Sequence, residues 1–155
     1  MPKKTYIEKL AHIGDLPKIE ETSDARQIAA HGGPRMLVAP PVSYDALMRL
    51  VPVGRLTTST EIRAHLAKEA GADYTCQLTA GIFINIAAHA SDERNGTAPT
   101  PYHRTLKKGG ELNEKYPGGI ESQKQRLSAE GHEFIQKGKR VFIKDYEKKL
   151  HSLEK

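Results

Sequence analysis

The stretch from Thr75 to Ala90 constrains this chain most. Thr75 is suited to cap a helix, and Leu78, Ile82, Phe83, Ile84 and Ile86 then go nearly all round a helical wheel. A helix of that kind has to be covered on several sides. Candidates for the covering elements are legible just before it. Ser43 is placed to cap a helix bearing Tyr44, Leu47, Met48 and Val51 at i, i+3, i+4 and i+7, which Pro52 and Gly54 end. Thr58-x-x-Glu61 reads as a capping box. It opens a helix to Ala70, with Ile62 and Leu66 four apart and Gly71 as its stop. Two successive helices with a short glycine-containing connection make a helix-turn-helix candidate.

The flanks read less regularly. Residues 1–41 form an N-terminal arm that should pack on the core, loosely built up to residue 35. It holds a short helix within Thr5–Ile13, a second helix capped by Ser23 through Ala30, and a break at His31–Pro34. Residues 36–42 are extended, because two prolines exclude a helix interior. Residues 42–155 make one mainly α domain with small β wings. After a polar loop at 91–101, Gly109-Gly110 suggests a hairpin or wing. Gly118-Gly119 precedes a helix over Ile120–Glu130, and Lys137-Gly138 turns a second hairpin. Asp145 is placed to cap a last short helix through Leu150.

Composition limits the function classes. At 155 residues and 37% hydrophobic content, the chain is one ordinary domain rather than a disordered segment. The longest apolar run, Ile82–Ala90, is broken by Asn85 and His89, whereas a membrane span needs about 20 apolar residues. No secretion signal is visible at the N-terminus. A single cysteine, Cys76, makes neither an internal disulfide nor a multi-cysteine zinc site. A cytoplasmic monomer is expected. No glycine-rich phosphate loop and no histidine pair with metal spacing occurs, so no cofactor and no metal is expected.

Charge is uneven. Residues 1–102 carry 11 basic and 11 acidic side chains, so the whole net charge of +5 lies in residues 103–155. A basic lobe favours a polyanion through release of its counterions, although a solvated, solubilising surface gives the same count.

Two places hold reactive residue types. Cys76 stands where a helix dipole favours thiolate, or is simply a small residue facing the core. Pro101-Tyr102-His103-Arg104 sets an aromatic ring, an imidazole and a cation on one loop. It reads either as a surface turn or as the lip of a pocket.

Several of these stretches, in order over residues 42–133, resemble the DNA-binding domain of the methylated-DNA–cysteine methyltransferases. Val51–Ile62, VPVGRLTTSTEI, is similar to that family's entry into its first helix-turn-helix helix. PYHRTL at 101–106 stands at its PCHR motif. Gly110–His132 is similar to its wing, Gly-Gly loop and final helix. The resemblance implies a winged helix-turn-helix that binds double-stranded DNA and flips out a damaged guanine. It also implies a base pocket of Pro101, Tyr102, His103, Arg104, Tyr116, Gly118, Gly119 and Glu130, with Glu130 supporting His103. DNA contacts are implied at Ser59, Gln77, Leu78, Gly81, Lys107, Lys108 and Lys124.

The departures from that pattern are informative. The alkyl-accepting cysteine is replaced by Tyr102, a much poorer nucleophile. Ser59 stands where the family has a phosphate-rotating tyrosine. Gln77 or Leu78 stands at its arginine finger, where Leu78 remains suited to wedge between bases. The pattern is similar to the alkyltransferase-like proteins, which bind the lesion without removing the alkyl group and hand it to excision repair. The expected function is therefore non-enzymatic recognition of alkylated guanine. The alternatives are a winged-helix adaptor or regulator that reads no lesion, and a residual transferase using another nucleophile such as Cys76.

Overall fold

The computed structural model describes residues 4–154. The outermost residues of the two expected segments, 1–3 and 155, lie outside it.

Helix α1 (Tyr6–Ala11) is fixed by Thr5, whose hydroxyl accepts from the Glu8 amide while Glu8 reaches back to the Thr5 amide. Strand β1 (Lys18–Glu21), helix α2 (Ala25–His31) and strand β2 (Arg35–Val38) follow. The cap of α2 is Asp24 rather than Ser23: its carboxylate accepts from the Arg26 amide at 2.8 Å. The first 35 residues are more ordered than expected. β1 pairs antiparallel with β2, Ile19 opposite Leu37, and β2 pairs parallel with β4 (Tyr74–Thr75). In β1 only Ile19 is even partly covered, so no period-two pattern announces it.

Helix α3 (Pro41–Met48) begins at Pro41, not after Ser43. A proline costs nothing at the first helical position, where its missing N–H has no partner to lose. Strand β3 (Thr57–Thr58) leads into α4 (Ser59–Ala70), with Thr58 accepting from the Glu61 amide and Gly71 closing the helix in the left-handed conformation. The last helix of this group, α5 (Gln77–Glu93), starts from Cys76 without a side-chain cap. The Thr75 hydroxyl is spent on the Arg63 carbonyl instead, at 2.7 Å. α5 also runs past Ala90, because Ala87, Ala88, Ala90 and Ser91 are all buried. Its final residue, Glu93, accepts the Tyr6 and Ile7 amides at 3.1 and 2.9 Å and so ties α1 to it.

A 3-10 turn at Tyr102–Arg104 delivers the chain to β5 (Thr105–Leu106), which pairs parallel with β3. Gly109-Gly110 makes a tight 3-10 loop closed by a Lys107–Glu111 bridge rather than a two-stranded wing. Helix α6 (Gly119–Ala129) follows. The hairpin expected near residue 138 is β6 (Phe134–Lys137) with β7 (Arg140–Ile143), Ile135 opposite Phe142. Asp145 has a left-handed backbone and opens only a 3-10 turn, with no capping bond.

Two apolar clusters result. Tyr44, Met48, Ile62, Ile84, Tyr102 and Tyr116 belong to the larger, beneath α1, α3, α4 and α5. Leu56, Leu106, Leu112, Leu127, Val141 and Ile143 form the smaller, beneath α6 and the hairpin.

Candidate nucleic-acid interface

Between α5 and the segment 106–116 lies a cleft of about 640 Å³. One wall is a face of α5: Gln77, Leu78, Gly81, Ile82 and Asn85. Leu78 and Ile82 are 74% and 48% exposed, unusual for aliphatic side chains four apart on a helix. Gly81 sits between them with open space where a Cβ would be. Mid-helix glycine costs about 1 kcal/mol relative to alanine, and no internal contact of this molecule requires it.

The opposite wall carries Lys107, Lys108, Asn113, Glu114, Lys115 and Tyr116, while α4 contributes Ser59 and Arg63. Lys107 pairs with Glu114 at 3.2 Å. Among the described residues no carboxylate pairs with Arg63, Lys108 or Lys115. The Asn113 amide group donates to the Asn85 side-chain oxygen at 3.0 Å across the cleft floor.

Six of the seven residues expected to contact DNA converge on this cleft: Ser59, Gln77, Leu78, Gly81, Lys107 and Lys108. Lys124 does not. It lies on α6 with its ammonium 5.7 Å from the Phe134 ring centre. Arg63, Asn85 and Lys115 belong to the cleft but were not singled out in the sequence. Arg63 is one turn from Ser59, and Asn85 is one turn from Gly81, so helical spacing from the expected residues would have found both.

The eight residues expected to form a base pocket are arranged differently: only Tyr116 lines the cleft. Tyr102 lies behind it, 4% exposed, its ring edge-on to Tyr116 with centroids 5.2 Å apart. The Arg126 guanidinium stands 5.1 Å from the Tyr102 ring centre, a contact for which the sequence has no signal. Tyr116 donates its hydroxyl to the Thr105 carbonyl at 2.8 Å. Burial pushes both phenols up, and for Tyr102 Arg126 opposes that shift.

His103, Arg104 and Glu130 form a separate hub. The His103 Nε2 lies 2.7 Å from Glu130, Arg104 donates to both Glu130 oxygens, and the Gly54 amide donates to the same carboxylate at 3.1 Å. Arg104 also reaches the Val51 carbonyl at 2.9 Å. Burial alone would raise Glu130, but the bonds from Arg104, His103 and Gly54 outweigh it and bring it down to about 2. Burial pushes His103 below the ordinary imidazole value, against the pull of Glu130. His103 is therefore neutral at pH 7 and donates its Nε2 proton to Glu130, while its buried Nδ1 has no partner among the described residues. Pro101 precedes the 3-10 turn. Gly118 and Gly119 take positive φ at the start of α6, and a Cβ on Gly118 would lie 2.5 Å from Ser122.

The structure with its cleft so described is similar to the crystal structure of S. pombe Atl1 in complex with damaged DNA containing O6-carboxymethylguanine. The TM-score is 0.50 at 19% identity, covering 72% of this chain and 94% of that one. The fold is that of the alkyltransferase-like proteins. A crystal structure of S. pombe ATL in complex with DNA also resembles it, at TM-score 0.47 and 21% identity over 72% of this chain and 92% of the other. No protein-family model and no curated protein matches the chain. The likeness is thus one of fold.

Proposed function

We propose that this chain is a non-enzymatic DNA-binding protein of DNA repair, which recognises alkylated guanine in duplex DNA and leaves it chemically intact. One observation carries the reading: an exposed small-and-apolar helix face and a set of unpaired cations meet in a cleft that contains no thiol. Leu78, Gly81 and Ile82 suit close approach to base steps in the minor groove. Arg63, Lys108 and Lys115 suit phosphates. A cleft of about 640 Å³ falls in the range that takes a small ligand such as an extruded base. The likeness to Atl1, itself bound to damaged DNA, supports the reading.

Among the described residues no thiol lines that cleft, which supports the reading without alkyl transfer. Cys76 precedes α5 with its amide bonded to the Leu37 carbonyl, and it does not line the cleft. In this reading α4 and α5 are the helix-turn-helix, the β6–β7 hairpin is a wing, and excision-repair proteins receive the bound lesion.

A second reading, a winged-helix adaptor blind to the lesion, draws support from the burial of Tyr102 outside the cleft. Paired affinity measurements on duplexes with and without an O6-alkylguanine separate the two. Tighter binding of the modified duplex is expected, with intact alkylguanine recovered and no mass added to the protein. Equal affinities favour the adaptor, and a stable alkyl adduct on any residue overturns both.

A further inference from the structure

Beside the main cleft lies a second of about 510 Å³, lined chiefly by α4 and the segment 72–77, with His31 of the arm at its edge. The two clefts share Arg63, Gln77 and Lys108, so they form one continuous trough round the start of α5. At the far end the imidazole of His31, the last residue of α2, is stacked on the Tyr74 ring, centroids 4.0 Å apart and planes 11° from parallel. Both rings are half-exposed. Lys68 stands at the rim with its side chain 70% exposed, paired only with the exposed Glu154. Such a pair is worth little and is readily exchanged for a phosphate.

The one acidic lining residue, Asp73, is turned to the arm, where its carboxylate accepts the Arg35 amide at 2.9 Å. The Arg63 Nε is buried with no hydrogen-bond partner among the described residues, while the side chain lines both clefts. The second cleft therefore offers three cations, one already committed anion, and an aromatic pair at its end.

We infer that this second cleft is an accessory nucleic-acid subsite. It takes the phosphodiester backbone of the strand running out of the main cleft, with Arg63, Lys68 and Lys108 on the phosphates and the His31–Tyr74 pair as a platform for a sugar or an unpaired base. The arm thereby lengthens the footprint. The inference rests on DNA being the ligand of the main cleft.

Its test compares a short duplex that fills only the main cleft with a longer duplex extending over the arm. The wild-type chain is measured beside Lys68→Glu, an exposed charge reversal remote from the core, and His31→Ala. Wild type should bind the longer duplex at least 3-fold more tightly. Both variants should lose that gain while keeping the short-duplex affinity, and Lys68→Glu should lower the steepness of the salt dependence by about 1. Unchanged length and salt dependence in Lys68→Glu overturns the inference and leaves the main-cleft reading standing. Absence of binding to either duplex overturns both.

Discussion

Removing the Glu130 carboxylate should be the most damaging single change near the cleft. Its carboxylate ties Arg104 on the 3-10 turn, His103 beside it, and the Gly54 amide in the turn before β3. Arg104 extends the tie to Val51 beyond α3. The side chains of Arg104, His103 and Glu130 are 13%, 9% and 10% exposed. Glu130→Ala leaves a poorly solvated guanidinium and an imidazole N–H without their acceptor, and breaking such a pair costs about 3–5 kcal/mol. Glu130→Gln keeps the volume, but its amide group must point donor hydrogens at another donor. A loss of about 2–3 kcal/mol is expected there. Against a typical stability of about 5–15 kcal/mol, either change should be plain in urea denaturation, as a lower midpoint at unchanged slope. The double variant Arg104→Ala/Glu130→Ala should lose less than the sum of the single changes, since no charge is then stranded. A loss below about 1 kcal/mol for Glu130→Ala would refute the reasoning.

Two further outcomes follow from the same structure. Leu78→Ala should leave thermal stability within about 0.5 kcal/mol of wild type, because the side chain is 74% exposed, yet weaken duplex binding roughly 5–30-fold if the leucine is buried against DNA; a drop in melting temperature with unchanged affinity would reverse the assignment. Acid should destabilise the protein in two stages: burial holds His103 and His132 below the ordinary 6.5, so below that pH the unfolded chain takes up protons first and stability falls, and Glu130 adds a second loss from 4.5 towards about 2. A melting temperature flat between pH 7.5 and 5.5 would contradict the histidine part.

What was legible in the sequence follows the range of the interactions involved. Thr58, Gly71 and the apolar spacing of α4 and α5 act within a turn or two of the chain, so those helices could be placed from sequence. Six of the expected DNA contacts converge because they sit on those helices or on the short segment at 106–108. The arm was harder. β1 has one partly covered residue and is held by pairing with β2, while β4 is two residues long, and neither carries a period. The cap of α5 falls at Cys76 because Thr75 is taken into β4, where it pairs with Leu37 and its hydroxyl donates to the Arg63 carbonyl. Of the residues expected in the base pocket only Tyr116 lines the cleft, for a steric reason. The bulky Tyr102 ring fills the layer behind Tyr116 rather than opening a cavity there.

That packing also bears on the proposed lack of alkyl transfer, independently of nucleophile strength. A general base must reach the proton it removes, yet neither His103 nitrogen meets the Tyr102 hydroxyl: Nε2 is engaged by Glu130 and Nδ1 has no partner. Burial meanwhile raises the Tyr102 phenol despite Arg126, so its oxygen stays protonated at neutral pH. The residue at position 102 is thus deprived of a base and held in its unreactive form at once. The hub has a structural role of its own, because Arg104 and Glu130 hold together the residues after α3, the turn at Gly54, the 3-10 turn and the end of α6.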